Sequence, residues 1–348
     1  MSLSKTKRSE IIRALLREIY VKNSSPVVAV GQEFGVSRQT LYRYLSELVN
    51  NGTVSIAGNG KSRQYLLTKK ENIYKFKIEG LQEDIVWSEY VKPLLKDLPT
   101  NVLSACSYGF TEILNNAIDH SESTYVTIFL KQNVFVVEFL IVDHGVGIFN
   151  KIGRALSLGD PKFAILELAK GKFTTAPDKH TGEGIFFTSR IFDGFYVVSG
   201  ELTFSSGRNK EDYLFEKLTN TPLKGTVVSM IINRESDVSI SDVFDQFSSV
   251  DDDSYGFSKT HVPVRLVDID DGALISRSQA KRLMQRFDRF KEIILDFKDV
   301  TEIGQGFADE VFRVFTREHP DINLLPINMS DDVKKMVMRA KSKPNSLS

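Results

Sequence analysis

Residues 112–120 read Glu-Ile-Leu-Asn-Asn-Ala-Ile-Asp-His, inside a segment of helical apolar spacing that begins near Ser104. Glu112 and Asn116 are four residues apart, so they share one face of that helix, with Asp119 and His120 near it. A carboxylate beside an amide suits two tasks. The amide oxygen can hold Mg2+, which prefers oxygen ligands in octahedral geometry. The carboxylate can take a proton from an attacking water or hydroxyl.

Three further motifs follow in order. Val142-Asp-His-Gly-Val-Gly-Ile148 comes after the apolar run F-V-V-E-F-L-I-V, so Asp143 falls at a strand end, where it can accept a hydrogen bond from an exocyclic amine. Gly145 and Gly147 allow backbone to approach a flat ring closely. His180-Thr-Gly-Glu-Gly-Ile-Phe186 runs into a predicted helix, and glycines at a helix start present N–H groups to phosphate. Lys224-Gly-Thr-Val-Val-Ser229 opens a late strand. Each motif alone is weak, because Asp-x-Gly-x-Gly is also a common turn.

In this order and spacing the four motifs resemble the N, G1, G2 and G3 boxes of the GHKL ATPase superfamily, that of gyrase, heat-shock chaperones, histidine kinases and MutL. The resemblance implies an α/β-sandwich ATP-binding domain over residues 101–235, with ATP and Mg2+ as cofactors. It makes Glu112 the general base and Asn116 the Mg2+ ligand, with Asn115 and Asp119 beside them. It makes Asp143 the adenine reader, flanked by Gly145 and Gly147, with Thr226 a supporting contact. Gly182 and Gly184 become phosphate-loop glycines. Residues 150–181, including Lys170, Lys172, Thr174 and Thr175, become a mobile lid, in which the two lysines read as solvated surface. The third motif has two glycines, with Phe186 where many histidine kinases have a third. That departure, and the Glu-x-x-x-Asn-Ala-x-x-His pattern, resemble the anti-sigma-factor serine kinases. A histidine autokinase is not expected, because residues 71–103 contain no histidine to act as phosphoacceptor.

Toward the N-terminus, Ile11, Ile12, Leu15, Leu16 and Ile19 predict an amphipathic helix. Pro26 opens a second helix that stops at Gly35, and Ser37 is a good N-cap for a third, R-Q-T-L-Y-R-Y-L-S-E-L-V. T-V-S-I-A, G-N-G and K-S-R-Q-Y-L-L then read as a hairpin. The string G-V-S-R-Q-T-L-Y-R-Y-L resembles the helix-turn-helix of bacterial regulators, and the hairpin makes it a winged one, over residues 1–70. That likeness implies double-stranded DNA as partner, with Arg38, Gln39, Thr40, Tyr42 and Arg43 toward base edges and Lys61 and Arg63 of the wing toward phosphates. Charge agrees. Residues 1–70 hold 12 Lys and Arg against 4 Asp and Glu, a net of +8, on a chain whose total is 0.

Residues 71–100 read as a helical connector, and the acidic, serine-rich residues 236–256 as a linker. Residues 257–348 alternate strand and helix, beginning with a strand at P-V-R-L-V-D-I and a helix around A-K-R-L-M-Q-R-F-D-R-F, as a largely parallel small α/β unit. I-I-L-D-F-K-D-V-T-E-I and G-F-A-D-E-V-F resemble STAS-like domains, which implies docking to a partner protein. Ile303-Gly-Gln-Gly-Phe307 carries no hydroxyl where STAS antagonists have a phosphorylatable serine, so phosphotransfer within the chain is not expected.

The sum is a multidomain α/β chain: winged helix-turn-helix, GHKL domain and STAS-like domain. No apolar run approaches the ~18 residues of a membrane span, the N-terminus shows no secretory pattern, and the single Cys106 reads as a small buried residue, so a cytoplasmic protein is expected. The leading expectation is an ATP-binding, ATP-hydrolysing transcriptional regulator. The alternative is a serine/threonine kinase acting on a partner protein. DNA palindromes would favour a homodimer, although no heptad seam is evident.

Overall fold

The computed structural model describes residues 4–172, 182–216, 222–251, 254–267 and 274–342. The chain divides into two compact units, residues 1–72 with 130–137, and residues 73–129 with 138–348.

In the first unit, α1 (Lys5–Tyr20), α2 (Pro26–Phe34) and α3 (Arg38–Asn50) precede an antiparallel hairpin of β1 (Val54–Ala57) and β2 (Gln64–Leu67), in register from Val54↔Leu67 to Ala57↔Gln64. Each helix starts for a local reason. Ser4 Oγ accepts from Lys7 N at 3.2 Å, and Ser37 Oγ from Thr40 N at 3.3 Å, satisfying amides that have no partner inside the helix. Pro26 stands in the first turn of α2, where a missing N–H costs nothing. Ile11, Leu15, Leu16 and Ile19 of α1 meet Val27 and Val30 of α2 and Leu41, Tyr44, Leu45 and Leu48 of α3 in one buried cluster, against which Val134 and Phe135 also pack.

The second unit is built on a seven-stranded sheet. Its strands are β3 (Lys70–Lys77), β4 (Tyr125–Gln132), β5 (Val136–Asp143), β6 (Gly194–Gly200), β7 (Leu202–Ser206), β8 (Tyr213–Glu216) and β9 (Leu223–Asn233), in the order β3-β4-β5-β9-β6-β7-β8. The late strand β9 is thus inserted beside β5. Along β5 burial alternates, so Asp143 shares the inner face with Val137, Phe139 and Ile141. The helical reading of 71–100 holds only for its second half, α4 (Glu83–Val86) and the irregular turns Trp87–Val91 and Lys92–Leu94. Tyr74 and Phe76 alternate with Lys75 and Lys77 at a period of two, and this edge position accepts them as a strand.

Helices α5 (Thr100–His120), α6 (Ile148–Ala155), α7 (Phe163–Lys170) and α8 (Gly184–Ile191) surround the site described below. The proposed lid therefore contains two formed helices up to Lys170. The 236–256 linker is also structured, as α9 (Ile240–Phe247), capped by Ser239, and a hairpin of β10 (Ser248–Asp251) and β11 (Ser254–Phe257). Aromatic burial explains it. Phe244 lies 4.1 Å from Phe187, and Phe247 and Phe257 lie 5.0 and 4.6 Å from Phe186, centroid to centroid.

Three parallel strands, β12 (Lys259–Pro263), β13 (Glu292–Asp296) and β14 (Asn323–Ile327), carry the C-terminal module with α10 (Arg277–Met284), α11 (Gln305–Asp309), which continues as a wider helical turn into α12 (Thr316–Glu318), and α13 (Asp331–Ser342). The first strand ends at Pro263, where the sequence reading starts it. Proline has no N–H for the ladder, and Val264–Val267 turns into a short 3-10 segment instead. Helix α10 stops at Met284, before the expected Phe290, because Gln285 leaves the helical region at ψ 128°, and Arg286 follows it left-handed at φ 66°.

Helices α5 and α8 cross at Gly109, where a Cβ would lie 2.3 Å from the Phe192 ring and 3.1 Å from Thr188. Gly109→Val is expected to lower stability by about 2 kcal/mol through overpacking, read as a shifted urea midpoint; an unchanged midpoint would show that the two helices can slide apart.

Candidate functional site

Five separate stretches of chain converge on one cavity of ≈ 320 Å3. Helix α5 contributes Glu112, Ile113, Asn115, Asn116, Ala117 and His120. Strand β5 ends on it with Ile141 and Asp143, and Gly147, Ile148, Lys151 and Ile152 follow at the turn into α6. Gly182, Gly184, Ile185 and Phe186 come from the start of α8, and Thr226 and Val228 from β9. Leu168 and Gly171, at the end of α7, complete the rim.

Asp143 is 6% exposed. Burial pushes its carboxyl above the usual range, and hydrogen bonds from Gly145 and Thr226 oppose that shift. Its Oδ1 accepts from Gly145 N at 2.9 Å and from Thr226 N at 3.3 Å, while Thr226 Oγ1 accepts from Ile148 N at 3.0 Å. The close approach depends on Gly225, at φ 85°, where a Cβ would sit 2.2 Å from the Asp143 carbonyl oxygen. The carboxylate is thereby pinned to both β9 and the loop after β5, in a cavity that Ile141, Ile148, Ile152 and Val228 also line.

On α5, Asn116 Nδ2 donates to Glu112 O at 2.8 Å, which directs the amide nitrogen along its own helix and leaves the side-chain oxygen without that bond. Glu112 reaches the first turn of α8: a Cβ on Gly184 would lie 2.0 Å from Glu112 Oε2. A carboxylate thus stands at a helix N-terminus with glycine on it, the place where backbone amides favour anions. Tyr108, one turn earlier on α5, has its phenol pushed up by burial and then by the nearby Glu112 and Glu183 carboxylates.

The rim overturns one expectation. Lys170 is not solvated surface but 0% exposed. Its Nζ donates to Glu167 Oε1 at 2.5 Å, and Arg286 Nη1 pairs with Glu167 Oε2 at 2.6 Å. Burial, outweighing the adjacent carboxylate, pushes the lysine down to about 8. Lys172 is likewise half-buried, donating to Arg289 O at 2.9 Å. Periodicity could not reveal this, since apart from Glu167 the groups that bury the two lysines, at Arg282, Gln285, Arg286 and Arg289, lie more than a hundred residues away.

Of the residues selected from sequence, the cavity collects Glu112, Asn115, Asn116, Asp143, Gly147, Gly182, Gly184 and Thr226. Two it does not. Asp119 is exposed on α5 and lies outside the lining, although seven residues from Glu112 bring it back to nearly the same helix face. Gly145 turns its N–H to Asp143 rather than to the cavity. Thr174 and Thr175 lie outside the described residues. Ile148, Lys151 and Ile152 escaped the reading, although their three- and four-residue spacing after Gly147 is a helical signal. Lys151 Nζ donates to His120 O at 2.7 Å on the cavity wall.

In the first unit, Arg38, Gln39, Tyr42 and Arg43 are exposed on α3 opposite its buried face, and Arg63 is exposed on the hairpin. Thr40 is half-buried and its Oγ1 lies 3.0 Å from Ser37 Oγ, so it serves the cap. The side chain of Lys61 lies outside the described residues.

Residues 279–334 match the family model described as a STAS-like domain of unknown function. The C-terminal module is therefore STAS-like. No curated protein matches the chain. Among the described residues no helix is long and apolar enough to cross a membrane.

The Lys170 shift has a pH consequence. Between about pH 8 and its unfolded value of 10.5, the unfolded chain still holds a proton that the folded chain has released, so raising pH favours the folded state. Lys170→Met should remove that rise. Urea unfolding of both proteins at about pH 7.5 and about pH 9.5 measures it, and equal slopes would mean the lysine titrates normally.

Proposed function

We propose that this chain is an ATP-dependent transcription regulator, with a GHKL-type nucleotide site in the second unit, a winged helix-turn-helix DNA reader in the first, and a STAS-like module that answers to nucleotide. The observation that carries the nucleotide reading is that eight residues chosen from four motifs line one cavity, among them a buried carboxylate from β5 and an amide–carboxylate pair from α5.

The residues fit Mg·ATP on chemical grounds. Apolar walls of Ile141, Ile148, Ile152 and Val228 with one buried carboxylate, Asp143, suit adenine, whose exocyclic amine would donate to that carboxylate. The Asn116 side-chain oxygen, together with phosphate oxygens, would hold Mg2+, an ion usually bound by one or two protein groups plus phosphate. Gly182 and Gly184 at the start of α8 offer amides to the phosphates. Glu112, within reach of that turn, would accept the proton of the attacking water. When bound, Mg·ATP supplies the transferable phosphoryl group.

DNA reading rests on the first unit alone. Arg38, Gln39, Tyr42 and Arg43 are presented by a capped helix, and arginine and glutamine offer bidentate contacts to guanine and adenine. The net +8 of residues 1–70 supplies the phosphate attraction.

Calorimetry with ATP and magnesium is the direct test. Asp143→Asn should abolish the heat of binding. Glu112→Ala should keep affinity within about twofold and lower turnover by about a hundredfold or more. Label from γ-labelled ATP should appear as free phosphate; label on an added protein would instead make the chain a kinase. DNA affinity should fall steeply with salt, and Arg38→Ala should cost about 1–3 kcal/mol at one base position. Salt-indifferent binding would remove the DNA assignment.

A further inference from the structure

The end of α7 belongs at once to the cavity rim and to the STAS-like module. Leu168 and Gly171 line the cavity. Between them, Lys170 is gripped by the C-terminal module: its Nζ donates to Gln285 O at 3.0 Å and to Arg282 O at 3.3 Å, and its carbonyl accepts from Thr260 Oγ1 at 2.8 Å. Arg286 completes the contact. One arm of its guanidinium pairs with Glu167 at 2.6 Å, and the other donates to Gly171 O at 3.0 Å and to Lys172 O. Lys172 O also accepts from Arg289 Nη1 at 3.0 Å.

A single planar fork therefore spans a buried carboxylate and two consecutive main-chain carbonyls of the rim, a geometry that an ammonium cannot reproduce. Arg286 does this from a left-handed backbone at φ 66°, a conformation that costs an arginine energy and persists where surroundings over-determine it. Gly171, so held, packs against Phe186, two residues along α8 from Gly184. The rim thus borders the end of the cavity where the glycine-led helix begins.

We infer that Arg286, supplied by the STAS-like module, is a positioning residue of the nucleotide cavity, which fixes Gly171 and Lys172 so that the phosphate side of the rim is ordered before a nucleotide arrives. The inference rests on the ATP reading of that cavity. Its physical content is preorganisation: a rim left loose must be ordered by the ligand, at a cost in affinity. By linkage, a nucleotide that tightens the rim also tightens the module's hold on α7.

The test uses the full chain, with calorimetric affinities for ATP and for adenosine. Arg286→Ala should weaken ATP about tenfold while adenosine, which lacks the phosphates, binds as in the parent. Arg286→Lys, which keeps charge but not the fork, should fall between. In the parent, ATP should slow amide exchange across residues 277–289, and Arg286→Ala should lose that protection. Circular dichroism melts establish folding; if Arg286→Ala does not fold, Arg286→Lys and Glu167→Gln carry the same comparison. Folded variants with parental ATP affinity, or with ATP and adenosine weakened in parallel, would overturn the positioning role. A parent chain that binds neither ligand would overturn the cavity's assignment first, and this role with it.

Discussion

The close crossing of α5 over α8 is the constraint on which the site depends. Gly109 lets the Phe192 ring and Thr188 lie where any side chain would stand. Three residues later, on the same helix, Glu112 meets Gly184 at the first turn of α8. A wider crossing would draw the Glu112 carboxylate away from the first turn of α8. The opposite wall depends on a similar approach, since β9 comes close enough to bond Asp143 only because Gly225 carries no Cβ. Both walls are set by backbone proximity, which side-chain chemistry then exploits.

Buried charge follows the same economy of partners. Arg190 pairs with Asp212 through both arms, at 2.5 and 2.6 Å. Glu167 is shared between Lys170 and Arg286. Such pairs gain little net stability, because desolvation offsets attraction, but removing one partner is costly. Their effect is to specify geometry. Both sets involve helices that border the cavity, α7 and α8, and the α7 set draws its partner from the STAS-like module. Cys106, by contrast, is an apolar filler on α5, its thiol pushed up to about 12 by burial.

Elements with strong local signals were legible in the sequence. Ser37 and Pro26 mark helix starts by satisfying or dispensing with a backbone amide, and Glu112 and Asn116 share a face because four residues make about one turn. Elements formed for distant reasons were not. The stretch 236–256 looks like a linker by composition, yet Phe244, Phe247 and Phe257 order it by packing on Phe186 and Phe187. Lys170 looks like surface on a short helix until the carbonyls of Arg282 and Gln285 arrive to accept from it and Arg286 arrives to share Glu167. Asp119 looks like a site residue by proximity in sequence and faces solvent.

By itself the sequence determined which segments become helix or strand where capping, period and glycine placement act over a few residues, and which side chains bring oxygen and amide chemistry to the cavity. Tertiary structure alone decided the insertion of β9 beside β5, the distances that turn four motifs into one cavity, and the grip of Arg286 on its rim. The physical reason is range. Dihedral preference and capping act within one helical turn, whereas burial and charge pairing join residues that only the folded chain brings into contact.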